Sequence, residues 1–244
     1  MHRLGEQAWP DVRTDALLLI PLGSTEQHGP HLPLSTDTDI AVGICSGVAA
    51  RRDDVVVAPA IAIGASGEHQ DFPGTLSIGH DALTTLLVEL VRSASTTFDR
   101  IAIVNAHGGN KLAVRDAAEL LHAEGRDTMF WSPVYGGEPV HADDGRPGAA
   151  AGSHAGRAET SLMLALRPEL VGPERTPGDL RPLRELMPEL RRSGVRTVSP
   201  TGVLGDPRDA SAEEGRQLLS AIVDELSGAV RARWPASNVN GEAQ

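Results

Sequence analysis

Residues 16–39 read ALLLIPLGSTEQHGPHLPLSTDTD, and the change of character within them decides the fold. Ala16 to Ile20 is an unbroken apolar run ended by Pro21-Leu22-Gly23, too short for a buried helix and without the polar alternation of a half-wet strand. It reads as a strand covered on both faces, the kind that parallel sheets contain. Two imidazoles and three carboxylates follow, Glu26, His28, His31, Asp37 and Asp39, a density that solvated loops rarely show. Glu26 and His28 are two apart, so in extended backbone both side chains point the same way, toward whatever lies above the sheet.

Further strands are expected at Val55 to Ala58, extending toward Ile61 to Ile63, at Ile101 to Val104, and at Thr128 to Trp131. Between them, Leu83, Leu86, Leu87, Leu90, Val91 and Ala94 recur at helical spacing, as do Val114, Ala117, Ala118 and Leu121. Strands alternating with helices predict an α/β fold, a three-layer α/β/α arrangement with a mostly parallel central sheet. Ligands in such sheets bind beyond the carboxyl ends of the strands, which singles out the loops after Leu22, Ile63 and Val104. A last helix opens with the capping box Ser211-Ala-Glu-Glu214 and carries Leu219, Ile222, Val223, Leu226 and Val230 on one face. Residues 1–234 are expected to form a single domain and 235–244 a flexible tail, with the first dozen residues similarly loose. The Gly- and Pro-rich stretches 132–153 and 172–182 have the length of binding loops or lids.

Composition narrows the function. The 244 residues carry a net charge of −11, and of the 22 basic residues all but Lys111 are dispersed arginines, so nucleic acid is not expected as a partner. No apolar run approaches the roughly 20 residues of a membrane helix, and the start lacks a signal peptide's apolar segment, so a cytoplasmic protein is expected. The single cysteine, Cys45, excludes an intrachain disulfide and falls among Ile40, Ile44 and Val48, where it reads as a small buried hydrophobe.

The third strand delivers Asn105-Ala-His107-Gly-Gly-Asn110 to the same crevice as the first loop. That turn either supplies a metal-binding imidazole or cradles a phosphate, although no dinucleotide or P-loop fingerprint is present. Farther on, Glu159 shares a helical face with Leu162, Met163 and Leu166. A carboxylate on a core-facing stripe costs several kcal/mol unless a cation compensates it. Its partner is either a metal held with Glu26, His28, Asp37 and His107, or an arginine such as Arg157. Mixed oxygen and nitrogen donors suit Zn, Mn or Fe. Asp37 has the alternative of capping the helix it begins, and His154 that of an ordinary loop residue rather than a proton shuttle near neutrality. Gly64-Ala-Ser-Gly-Glu68-His69 reads as substrate-facing, with Glu68 and His69 as its polar groups; Ser66 lacks the setting of a nucleophile elbow. Phe72, Trp131 and Tyr135 are further loop candidates.

These segments in this order, G-S-x-E-Q-H-G-P-H-L-P, T-D, H-G-G-N and H-A-G-x-x-E-T-S, resemble the creatininase family of metal-dependent amidohydrolases over about residues 15–230. Within it, Gly64-Ala-Ser-Gly-Glu-His, Pro73-Gly-Thr-Leu-Ser-Ile and Val198 to Pro207 resemble the members that act in mycofactocin biosynthesis. The resemblance implies a creatininase-like fold, a homo-oligomer, typically a hexamer, and two divalent ions per subunit, Zn and/or Fe with Mn possible. Glu26, His28, Asp37, His107 and Glu159 fall on metal positions, with Asp37 as the bridge; His154 joins them, on the residues alone, as the catalytic proton carrier. Creatininase has a glutamate two residues after the histidine matching His107, where this chain has Gly109; in H-G-G-N members the glutamate at position 159 completes the site. The implied substrate is a precursor peptide whose decarboxylated, cross-linked C-terminal Val-Tyr is cut free. A cyclic-amide or formamide hydrolase is the alternative within the family, and a non-catalytic nucleotide-binding or scaffold subunit the alternative outside it.

Overall fold

A computed structural model describes residues 2–133 and 152–235. Strands β1 (His2–Arg3), β2 (Leu17–Leu22), β3 (Val55–Val57), β4 (Arg100–Asn105) and β5 (Thr128–Trp131) form a parallel sheet in the order β1-β3-β2-β4-β5. The helices are α1 (Thr36–Ala49), α2 (His80–Ala94), α3 (Lys111–Ala123), α4 (Arg157–Leu166), α5 (Leu183–Ser193), the single turn α6 (Val195–Val198) and α7 (Ala212–Arg233). β6 (Gly152–His154) and β7 (Leu204–Gly205) pair antiparallel beside the sheet.

Every residue of β2 is buried, and the pleat sends alternate side chains to opposite layers. Leu17 and Leu19 pack with Ile40, Ile44 and Val48 of α1, Leu162 and Met163 of α4, and Ile222, Val223 and Leu226 of α7. Leu18, Ile20 and Leu22 pack with Leu83, Leu87 and Val91 of α2 and Ala113, Ala117 and Leu121 of α3. Each fully buried aliphatic side chain contributes about 1.5–3 kcal/mol of transfer free energy, so both layers are held by the apolar runs that mark the strands. Cys45 is buried in α1, and burial pushes its thiol upward, as suits a small hydrophobe.

Several boundaries differ from those the spacing predicts. β2 continues through Pro21 to Leu22. The main chain of Pro21 faces β3, its carbonyl accepting from Ile61 N, and β3 has ended at Val57 on that side, so no ladder bond is lost for want of an N–H. Only an isolated bridge, Leu22 to Ile61, continues the pairing beyond Pro59. The N-terminus is tied down, because His2 and Arg3 pair with Val56 and Val57. Ser211 caps α7 by accepting from Glu214 N at 3.2 Å, but Glu214 turns to Ser161 Oγ (2.8 Å) and Arg157 Nε (2.9 Å) rather than back to Ser211. This ties α7 to α4, and Gly215 completes the contact: a Cβ there would stand 1.8 Å from Ser161 O. The 172–182 stretch runs along β7, with Gly178 N donating to Gly205 O at 3.0 Å. Most of 132–153, including Tyr135, and nearly all of the expected tail lie outside the described residues.

The topology fixes where a site can form. From β2 the chain moves through α1 to β3 on one side, and from β4 through α3 to β5 on the other. The strand order therefore switches between neighbouring β2 and β4, and a crevice opens beyond their carboxyl ends.

Candidate metal centre

Two loops and the first turns of two helices meet at that crevice. The segment after β2 carries Glu26 and His28, the first turn of α1 carries Asp37, the turn after β4 carries His107, and the first turn of α4 carries Glu159; all five are buried. His28 Nε2 lies 3.2 Å from Asp37 Oδ1 and 3.9 Å from Glu159 Oε2. His107 Nδ1 lies 3.0 Å from Asp37 Oδ2, and its Nε2 lies 3.2 Å from Glu26 Oε2. Asp37 thus presents one oxygen to each of two donor sets, Glu26/Asp37/His107 and His28/Asp37/Glu159, whose candidate ligand atoms lie within 4.8 Å of one another. Ser35 rather than Asp37 stands at the N-cap of α1.

Local chemistry holds these groups in place. Ser24 Oγ donates to Asp37 Oδ2 at 2.7 Å, and His28 Nδ1 donates to Glu26 O at 3.2 Å, which turns Nε2 of that ring toward the carboxylates. Asn110 Nδ2 donates to Gly23 O (3.0 Å) and Asn105 Oδ1 (3.0 Å), while Asn105 Nδ2 donates to His107 O (2.9 Å), joining the β2 and β4 turns. Glu159 Oε2 accepts from Ala155 N at 2.7 Å. Ala155 adopts φ 52°, a left-handed conformation costing a non-glycine residue about 1–2 kcal/mol, and this turn sets His154 and Glu159 together.

The electrostatics call for cations. Neither oxygen of the buried Glu26 accepts a hydrogen bond of good geometry among the described residues. Burial, reinforced by Asp37, raises the carboxyls of Glu26 and Glu159 to about 7 against opposing histidines. Burial lowers the His28 and His107 imidazoles, but the facing carboxylates outweigh it and raise them to about 9 and about 10. Burial also raises Asp37, yet His28 and His107 hold it well below the usual carboxylate range. Without an ion, protons must stand in to balance three buried carboxylates. Carboxylates and imidazoles sharing one bridging acid suit divalent Zn, Mn or Fe.

The remaining site candidates divide. His154 is in the crevice, with Nδ1 3.7 Å from Glu26 Oε1 and its ring 4.3 Å from that of His28. Burial and the charge of His28 hold it well below the ordinary histidine range, so it rests neutral rather than titrating near pH 7. His69 reaches deeper than a substrate-facing loop residue, with Nε2 3.3 Å from Glu26 Oε1, and burial lowers it to about 3. Glu68 Oε1 borders Gly109, where a Cβ would stand 2.6 Å from it and 2.4 Å from Ala65 O, so this turn has no room for a side chain at 109. Phe72 packs with Leu186, Leu190 and Val195 beneath Arg196, away from the donor sets, and Trp131 packs, partly buried, on the core. His31 bonds Thr160 Oγ1 at 2.9 Å, and Arg157 pairs with Glu214 rather than Glu159. The lining of carboxylates suits no phosphate, which removes the nucleotide-cradle alternative for the His107 turn. Sequence spacing misses Ser24, Asn110 and Gln27; Gln27, between two ligand candidates, is buried as well.

A model of the creatininase family, described as creatinine amidohydrolase, matches residues 5–230. The mycofactocin precursor peptide peptidase of Mycobacterium ulcerans is 48% identical over 236 residues, covering 93% of this chain and 86% of that one. The creatinine amidohydrolase of Pseudomonas putida is 29% identical, covering 95% and 97%. Among solved structures, a manganese creatininase superposes with a TM-score of 0.76 at 27% identity. A Zn-Zn type creatininase mutant superposes with a TM-score of 0.78 at 26% identity, and both alignments cover 96% of this chain and 98% of the other. With a match along nearly its whole length and a relative of such identity, the chain belongs to the creatininase family.

Proposed function

We propose that this chain is a metal-dependent peptidase that hydrolyses the amide before the decarboxylated, cross-linked C-terminal Val-Tyr of the mycofactocin precursor peptide. The observation that carries the substrate is the 48% identity to a peptidase of that name, against 29% to a creatinine amidohydrolase over similar shares of the chain. Gly109 supports it, since the backbone leaves no space there for the glutamate expected of creatininase itself. Glu26, Asp37 and His107 would hold one divalent ion and His28, Asp37 and Glu159 a second. Such a pair supplies an activated water near neutral pH and polarises a carbonyl.

The chain's own residues do the rest. His28 and His107 give up their protons to serve as ligands, so loading releases protons. His154, neutral and turned toward the crevice through Nδ1, accepts a proton from the attacking water and returns it to the departing amide nitrogen. Glu68, beside Gly109, contacts the peptide, and His69 stands with Nε2 3.3 Å from Glu26 Oε1. A cytoplasmic homo-oligomer, hexameric by family resemblance, belongs to the same reading and is checked by light scattering. No described helix is long and apolar enough to cross a membrane.

The test is mass spectrometry of the decarboxylated, cross-linked precursor incubated with metal-loaded and with chelated protein. Loss of the C-terminal pair only with metal is expected. An intact peptide beside protein of confirmed metal content contradicts the substrate and favours a cyclic amide, whereas cleavage that survives chelation contradicts the metal centre.

A further inference from the structure

Gln27 stands between Glu26 and His28 and belongs to none of the candidate donor groups, Glu26/Asp37/His107, His28/Asp37/Glu159 and Glu26/His28/His154. Two main-chain groups of unambiguous polarity orient its amide: Gly29 N donates to Oε1 at 2.9 Å, and Nε2 donates to Gly202 O at 3.2 Å. Gly202 is at φ +80°, and a Cβ there would stand 1.8 Å from Gln27 Oε1, so the turn is shaped to admit this side chain.

That orientation dictates hydrogen positions beyond it. Gln27 Nε2 lies 2.8 Å from His69 Nδ1. An amide nitrogen only donates, so Nδ1 accepts and the neutral ring carries its proton on Nε2, 3.3 Å from Glu26 Oε1. His154 Nε2 lies 2.8 Å from the main-chain oxygen of Gln27, which only accepts. The His154 proton is therefore on Nε2, leaving the lone pair on Nδ1, 3.7 Å from the same Glu26 oxygen. Gln27 Nε2 is also 3.0 Å from His154 Nε2, but both its hydrogens are directed to His69 and Gly202.

We propose that Gln27 is a positioning residue, whose amide and main-chain carbonyl fix the tautomers of His69 and His154 so that one offers an N–H and the other a lone pair beside Glu26. The kinetic consequence rests on the hydrolytic function proposed above; the tautomers do not.

The test is two-bond nitrogen–proton correlation NMR of the imidazoles in the ¹⁵N-labelled full chain, recorded with and without added zinc and without substrate. Both rings are expected as the Nε2–H form. Gln27→Glu keeps the shape, the acceptor for Gly29 N and the main-chain carbonyl, but gives no donor to His69. Protonation of His69 Nδ1 is then expected, with His154 unchanged, and kcat should fall by roughly 10- to 100-fold, the range for groups that orient ligands, at unchanged KM and metal content. If that variant fails to fold, Gln27→Met should leave His69 as a mixture of tautomers. An Nδ1–H form of either ring in the unaltered protein, or an unchanged His69 in the folded variant, overturns the proposal. Normal tautomers in a protein that cleaves no peptide would instead contradict only the substrate.

Discussion

Glu159 occupies a position that a soluble protein avoids unless something compensates it: a carboxylate in the first turn of α4, 4% exposed, facing Asp37 and His28. Burial beside Asp37 makes it a burden in the metal-free protein, and the proposed centre makes it a ligand in the loaded one. Glu159→Gln should therefore raise the melting temperature of the metal-free protein while lowering metal content toward one ion per chain and turnover by roughly 100-fold or more, beyond the loss of an orienting group. Calorimetry and elemental analysis on the same preparation check both halves, and unchanged metal content contradicts its role. Ala155 is the second informative residue. A β-branched side chain is less tolerant of φ 52°, so Ala155→Val should cost about 1–3 kcal/mol, read by urea unfolding, and weaken metal binding by displacing the amide that holds Glu159.

At the scale of elements, α4 reaches the crevice because α7 holds it there. Gly215→Ala would press a methyl against Ser161 O, and overpacking of this kind costs about 1–3 kcal/mol; because the shift falls on α4, metal affinity should drop with stability. Ser211→Ala removes only the cap and should cost about 1 kcal/mol with metal affinity unchanged, so the two variants separate a displaced helix from a weakened one. The same elements show what sequence can reveal. The apolar run of β2 and the awkward Glu159 on an apolar stripe are legible because burial on both faces, or burial of a charge, leaves a mark in the residue types. The β6–β7 pair and α5 are not: the pair is two or three residues per strand, and α5 contains Pro188. Gln27 escapes because period-two spacing assigns it away from Glu26 and His28, whereas β7 and its preceding turn cover that side too. The depth of His69 is not legible either, because a glycine-rich loop reads as substrate-facing until Leu186 and Val195 are seen packing with Phe72 behind it.

At the scale of the molecule, the centre makes stability depend on pH with opposite signs in its two forms. In the metal-free fold His28 and His107 keep protons up to about 9 and about 10, well above 6.5. Their contribution is full below about pH 6.5 and is lost as pH rises through those values. Glu26 and Glu159, raised from 4.5 to about 7, reinforce the decline between those two values. Asp37, held low, opposes it only in acid, its contribution vanishing as pH falls below its depressed value. Metal binding requires deprotonated ligands and strengthens with pH. The metal-free melting temperature should thus fall from about pH 5 to about pH 9 while the increment on adding zinc grows; a metal-free curve that rises over that interval contradicts the coupling. The most direct test of the central claim, two ions sharing Asp37 at the switch between β2 and β4, is an anomalous-difference map from crystals of the metal-loaded protein. Two peaks about 3.5–4 Å apart, one on each side of Asp37, are expected, and a single peak, or peaks away from Glu26, His107, His28 and Glu159, would contradict it.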